Sequence, residues 1–124
     1  MCRAGEQRVE IGHQTPSPHR VENRPGGAVQ TEVERRGFSV CAELSGHGIG
    51  RRIHEEPDVP NVAWDGPELT DGLVITVEPI IAAGRGNVYV ADDGWTIRTN
   101  DRSPSAHFEH TIVITDDAPI LLTA

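Results

Sequence analysis

The distribution of apolar residues predicts one short helix near the start of the sequence. Ala28, Val29 and Val33 recur at helical spacing from Gly26 onward, and Gly37 provides a C-terminal stop. Residues 38–42 then alternate apolar and small side chains, as in a strand that leads into a glycine-spaced segment at residues 45–50. We therefore expect one helix, over residues 26–37, followed directly by extended structure.

The remainder of the pattern predicts strands joined by turns. Residues 73–82 form an apolar run rich in β-branched side chains, residues 88–90 and 95–99 form two short strands, and residues 107–115 alternate strictly. The glycines and prolines of residues 55–72 predict a long loop. The predicted fold class is α+β, a mostly antiparallel sheet with one packed helix.

Composition narrows the possible functions. The chain of 124 residues has a net charge of −8, contains no lysine, and carries fourteen of its nineteen acidic residues after residue 36. This charge argues against nucleic-acid binding, because phosphate affinity needs clustered cations.

No apolar run approaches the length of a signal peptide or the roughly 20 residues of a membrane span. Cys2 and Cys41 lack the spacing of a disulfide framework or a thiolate metal site, so a cytoplasmic protein is expected. Residues 1–25 read as a flexible arm.

Three ionisable residues stand inside predicted strands or tight turns. His47 is flanked by glycines, Glu78 interrupts the apolar run, and Glu109 falls in the middle of the last predicted strand. One histidine and two carboxylates suit a divalent metal such as Mn, Co, Fe(II) or Zn. The competing interpretation makes both glutamates solvent-facing strand residues and His47 a turn residue. His54 either donates a hydrogen bond into the same pocket or is an exposed loop residue. Trp95 is expected by default to be a core residue, and the alternative is that it forms a wall of the pocket.

Three segments resemble the C-terminal half of a type I methionine aminopeptidase, a metallopeptidase with the pita-bread fold. In order, they are GHGIGRRIHEEPDVPN at residues 46–61, LVITVEPII at residues 73–81, and DGWTIRTNDRSPSAHFEHTIVIT at residues 93–115. The tail of the third segment is more similar to the methionine-specific branch than to prolidase- or creatinase-like relatives. The resemblance covers residues 26–124, which we interpret as a truncated catalytic domain, and it leaves residues 1–25 unmatched.

The resemblance implies a role for each candidate residue. His47, Glu78 and Glu109 would be metal ligands, with Glu109 bridging two ions and Glu78 a candidate proton shuttle. His54 would hydrogen-bond the scissile carbonyl oxygen without binding metal, and Trp95 would line the methionine pocket. The implied activity is metal-dependent removal of N-terminal methionine from nascent proteins.

The family's full site also uses two aspartates and another histidine from strands that precede the helix. No aspartate occurs before Asp58, so we expect one metal ion or none, bound weakly. Ile53 replaces a common phenylalanine and His107 a common glutamine, which would alter the pocket. Half of a pita-bread fold would expose sheet edges and apolar surface, which predicts self-association or a partner half. The alternatives are an inactive remnant that binds metal or peptide weakly, and a small β-rich binding domain without metal.

Overall fold

The computed structural model describes residues 24–67 and 69–123. The predicted arm at residues 1–25 falls almost entirely outside this part of the chain. These residues form one helix and ten strands: α1 (Arg24–Arg35), β1 (Ser39–Val40), β2 (Ser45–Gly48), β3 (Glu55–Pro60), β4 (Val74–Val77), β5 (Ile80–Ala82), β6 (Val88–Val90), β7 (Ile97–Thr99), β8 (Ser105–His107), β9 (His110–Val113) and β10 (Ile120–Leu121). The predicted α+β class is confirmed.

Helix α1 ends as its sequence predicts. Gly37 adopts a positive φ of 81°, a conformation that costs glycine nothing. The Phe38 N–H donates to the Val33 carbonyl and the Gly37 N–H to the Glu34 carbonyl, which together form a Schellman cap. On the helix surface Glu32 pairs with the guanidinium groups of the two arginines that follow one turn later. These ion pairs lower the pKa of Glu32 to about 2.

The strands form three antiparallel sheets. The largest has the order β10-β9-β4-β2-β3, the second has the order β1-β5-β8, and β6 and β7 form a separate hairpin. The core lies on the five-stranded sheet, where Val59, Ile75 and Ile114 are buried. Four partly buried side chains pack against them: Leu69, Leu73, Val77 and Ile112. Within the described residues no helix combines the length and apolarity that a membrane crossing requires.

Several predicted boundaries are wrong. Residues 55–60 form β3 rather than part of a loop, because they pair along β2 despite their two prolines. The apolar run at residues 73–82 is two strands in two different sheets, divided at Glu78 and Pro79. The last predicted strand is likewise divided into β8 and β9. Glu109 therefore lies between two strands, exposed, and not in the middle of one.

Candidate functional site

His47 and Glu78 lie side by side where β2 approaches the end of β4. The His47 Nε2 atom is 3.4 Å from the Glu78 Oε2 atom, and each side chain is only 13% exposed. The competing interpretation, that Glu78 faces solvent and His47 lies in a turn, is therefore wrong for these two residues. Residues 31 positions apart in sequence converge because β2 and β4 are antiparallel neighbours.

The His47 ring is oriented by its own backbone neighbour. Its Nδ1 atom is 2.9 Å from the Gly48 carbonyl oxygen. A carbonyl only accepts, so Nδ1 carries the proton and donates, which leaves Nε2 as the ring nitrogen that faces Glu78. Histidine ligands of metals in proteins are fixed by this kind of second hydrogen bond. Nε2 and the Glu78 carboxylate thus face each other directly.

Thr76 holds both members of this pair. Its hydroxyl donates to Glu78 Oε2 at 2.8 Å and accepts from the His47 N–H at 2.9 Å. Thr76 is fully buried, so these partners are fixed by the strand rather than by solvent. The hydroxyl consequently links the His47 backbone to the Glu78 carboxylate.

Asn61 fixes the backbone on the other side of the pair. Its side-chain amide donates to the carbonyl oxygens of Leu44 and Glu78, both at 3.1 Å. Asn61 is 1% exposed, so it connects the segment before β2 to the turn that carries Glu78. This contact positions the glutamate through the main chain.

The other predicted site residues are placed differently. The His54 ring centroid lies 4.2 Å from that of His47, so His54 faces the pair from the exposed side. Trp95 is 88% exposed, and the default assignment as a core residue is wrong. Within the described residues no hydrogen bond or ion pair joins Glu109 to His47 or Glu78, and no three His, Cys, Asp or Glu side chains are already grouped to hold a metal ion.

Sequence reasoning overlooked Thr76 and Asn61, which lie beside the pair, and predicted for His107 only an altered pocket. Thr76 is the polar residue of an apolar run and stands two positions before Glu78, a spacing that places both side chains on one face of a strand. That spacing was therefore enough to predict from the sequence that Thr76 lies beside Glu78. Nothing local to Asn61 indicates that it reaches the site.

Comparison with known proteins identifies the family. The sequence model of metallopeptidase family M24 matches residues 21–116, so the chain belongs to this family of metal-dependent peptidases. Among curated relatives, the chain is similar to the methionine aminopeptidase of Escherichia coli strain K12, with 41% identity over 127 residues and 99% of this chain. It is also similar to the methionine aminopeptidase of Clostridium perfringens, with 45% identity over 77% of this chain. These alignments cover 47% and 39% of the relatives. The chain therefore spans about half the length of the curated relatives it matches.

Solved structures agree with the sequence comparison. Methionine aminopeptidase from Rickettsia prowazekii superposes with a TM-score of 0.77 at 39% identity, covering 83% of this chain and 43% of that one. The Thermotoga maritima enzyme gives 0.73 at 41% identity, covering 82% and 43%. The resemblance to the C-terminal half of the pita-bread fold is confirmed.

Proposed function

We propose that this chain contributes the C-terminal half of a methionine aminopeptidase site, which removes N-terminal methionine from nascent proteins. The observation that carries the proposal is the pairing of His47 Nε2 with Glu78 Oε2 at 3.4 Å. Two ligands of a tetrahedral metal, each bound at about 2.1 Å, lie about 3.4 Å apart. The two side chains therefore have the spacing that a shared divalent cation requires.

Each candidate residue has a role in this proposal. His47 and Glu78 hold the cation, and Glu109 joins them as a ligand. His54, beside His47, donates a hydrogen bond to the scissile carbonyl oxygen and stabilises its developing charge. Glu78 accepts and returns the proton of the attacking water. The exposed ring of Trp95 contacts the methionine side chain.

The proposed metal is Co, Mn, Fe(II) or Zn, bound as one ion by the residues of this chain. When bound, such an ion lowers the pKa of a coordinated water and so supplies the nucleophile. The chain's own contribution is to orient His47 through Gly48 and to hold the Glu78 carboxylate through Thr76. A buried free thiol at Cys41 accords with a reducing, cytoplasmic location.

Hydrolysis of a Met-Ala-Ser peptide, followed by chromatography with added Co(II) or Mn(II), tests the activity. We expect release of free methionine, abolished by Glu109→Ala and unchanged by Glu43→Ala, which alters an exposed glutamate outside the site. Turnover that survives Glu109→Ala would show that this residue is not part of the machinery.

The alternative function is that of an inactive remnant that binds metal or peptide weakly, or that complements a separate N-terminal half. Exposed apolar side chains favour it, since Phe108 is 65% exposed and Leu121 and Leu122 are each more than half exposed. Metal binding without turnover, with activity gained when the N-terminal half of a relative is added, would establish this alternative.

A further inference from the structure

One face of the sheet β1-β5-β8 carries apolar side chains that are open to solvent. Phe38 is 42% exposed and Phe108 is 65% exposed, and Pro104 and Ala106 are exposed as well. Residues 104, 106 and 108 alternate along β8 and its two flanking positions, so their side chains share this face. A groove on the face is lined by Phe38, Ile81, Ala83, Pro104, Ser105 and Ala106. The groove and the exposed ring of Phe108 therefore lie toward opposite ends of β8, on one face.

Strand β8 is also an edge strand, since it pairs with β5 alone in the described part of the chain. Phe108 donates its N–H to the residue before β5, and the Pro104 carbonyl accepts from the residue after β5. Hydrogen-bonded pairs alternate along an antiparallel ladder, so Ala106 also directs its backbone groups toward β5. The N–H and C=O groups of Ser105 and His107 consequently point outward, where another strand can pair with them.

We propose that this edge and this face form a symmetric interface between two copies of the chain. In the interface the two β8 strands run antiparallel about a two-fold axis at Ala106, so that both copies contribute the same surface. Ser105 of each copy then lies opposite His107 of the other. These two positions carry the outward backbone groups, so each pair exchanges both of its N–H···O bonds. The inference goes beyond the proposed function and does not depend on it.

The same register brings Phe108 of one copy to the groove of the other. Two residues from the axis, Phe108 lies opposite Pro104 of the second copy, at a position without hydrogen bonds. Side chains of an antiparallel pair are closest at such positions, and a proline fits there because no N–H is needed. The groove has a volume of about 130 Å³, close to the roughly 150 Å³ in which a protein cavity binds benzene. By symmetry the dimer makes this contact twice.

Charge and side-chain size favour a second copy at this surface. Two chains that each carry a net charge of −8 repel each other wherever their acidic side chains meet. None of the side chains that line the groove or belong to β8 is acidic, so two copies meet here without that repulsion. A basic partner would find no carboxylate to bind on the same residues. The methyl group of Ala106 is small enough to lie against its own symmetry mate on the axis.

Sedimentation velocity of the full chain over a wide range of concentrations tests the interface. We expect a dimer that dissociates on dilution. Ala106→Glu and Ala106→Lys each place like charges against each other on the axis, so each variant alone is a monomer, whereas their equimolar mixture forms a dimer again. The matched control is Ala118→Glu, which changes an exposed alanine just before β10 and leaves the dimer intact. Phe108→Ala weakens dimerisation at least about tenfold without adding a charge.

Three results would overturn the inference. A wild-type chain that is monomeric at every concentration has no such interface. A dimer that persists in both Ala106→Glu and Phe108→Ala uses another surface, and so does one whose Glu and Lys variants fail to pair when mixed. A monomeric chain that binds the separate N-terminal half of a relative, and loses that binding on Ala106→Glu, would show that the partner half occupies this edge. Far-UV circular dichroism confirms that each variant keeps its fold.

Discussion

Replacing Thr76 by valine tests whether one buried hydroxyl organises the site. Valine keeps the shape of the side chain but removes the group that donates to Glu78 and accepts from the His47 N–H. A hydrogen bond to a charged group contributes about 1.5–3 kcal/mol, and a buried N–H without a partner costs about 1–3 kcal/mol. Because one hydroxyl serves both partners, we expect a combined loss of about 3 kcal/mol in the free energy of unfolding.

The matched control is Thr76→Ser, which keeps the hydroxyl and removes one methyl group. Its expected cost is about 1 kcal/mol, from lost burial and a small cavity. Urea denaturation of both variants gives the two free energies. Co(II) affinity provides a second measurement, which we expect to fall for valine and to be kept for serine. A valine variant that is no less stable than the serine variant would refute the argument.

Four further substitutions probe the site and helix α1. Gly46→Ala would place a Cβ atom against the Thr76 carbonyl oxygen, so we expect thermal melts to show a loss of stability of several kcal/mol. The control is Gly27→Ala, whose Cβ meets only ordinary contacts and which gains up to about 1 kcal/mol from helix propensity. Equal melting temperatures for the two variants would contradict this. Asn61→Asp removes both amide donors to buried carbonyls, and we expect about 2–4 kcal/mol of destabilisation, so an unchanged urea midpoint would be inconsistent with its bridging role. Glu32→Gln should lower the melting temperature slightly at pH 7. Because the folded-state pKa of Glu32 is lowered from 4.5 to about 2, the stabilising effect of the carboxylate is present above pH 4.5 and is lost as the pH falls through 2. A difference in melting temperature between wild type and variant that persists below pH 2 would argue against the ion pairs.

Local features of the chain were predicted well from sequence. The C-terminal stop of the helix at Gly37 follows from a residue that favours positive φ, and the apolar run toward Ile75 follows from β-branched side chains. The errors occurred where pairing overrides local preference. Residues 55–60 form a strand because β2 offers backbone partners, although their prolines predict a loop.

The candidate site was likewise predicted from sequence only in part. Residue type and glycine spacing drew attention to His47 and Glu78, and the structure places them in contact. The motifs also point to Glu109 and Trp95, yet the structure leaves both side chains exposed. Their roles remain predictions, because neither side chain is fixed by a contact to the pair.

The sequence by itself determined the fold class, the family and the candidate ligands for a divalent cation, because these depend on periodicity and on motifs read along the chain. Only the tertiary structure decided which donors meet. Thr76 reaches His47 across 29 residues, and His107 reaches Glu78 because β5 and β8 are paired in one particular register. A shift of that register by one residue would turn His107 to the opposite face of its sheet, and no local pattern in the chain specifies such a register.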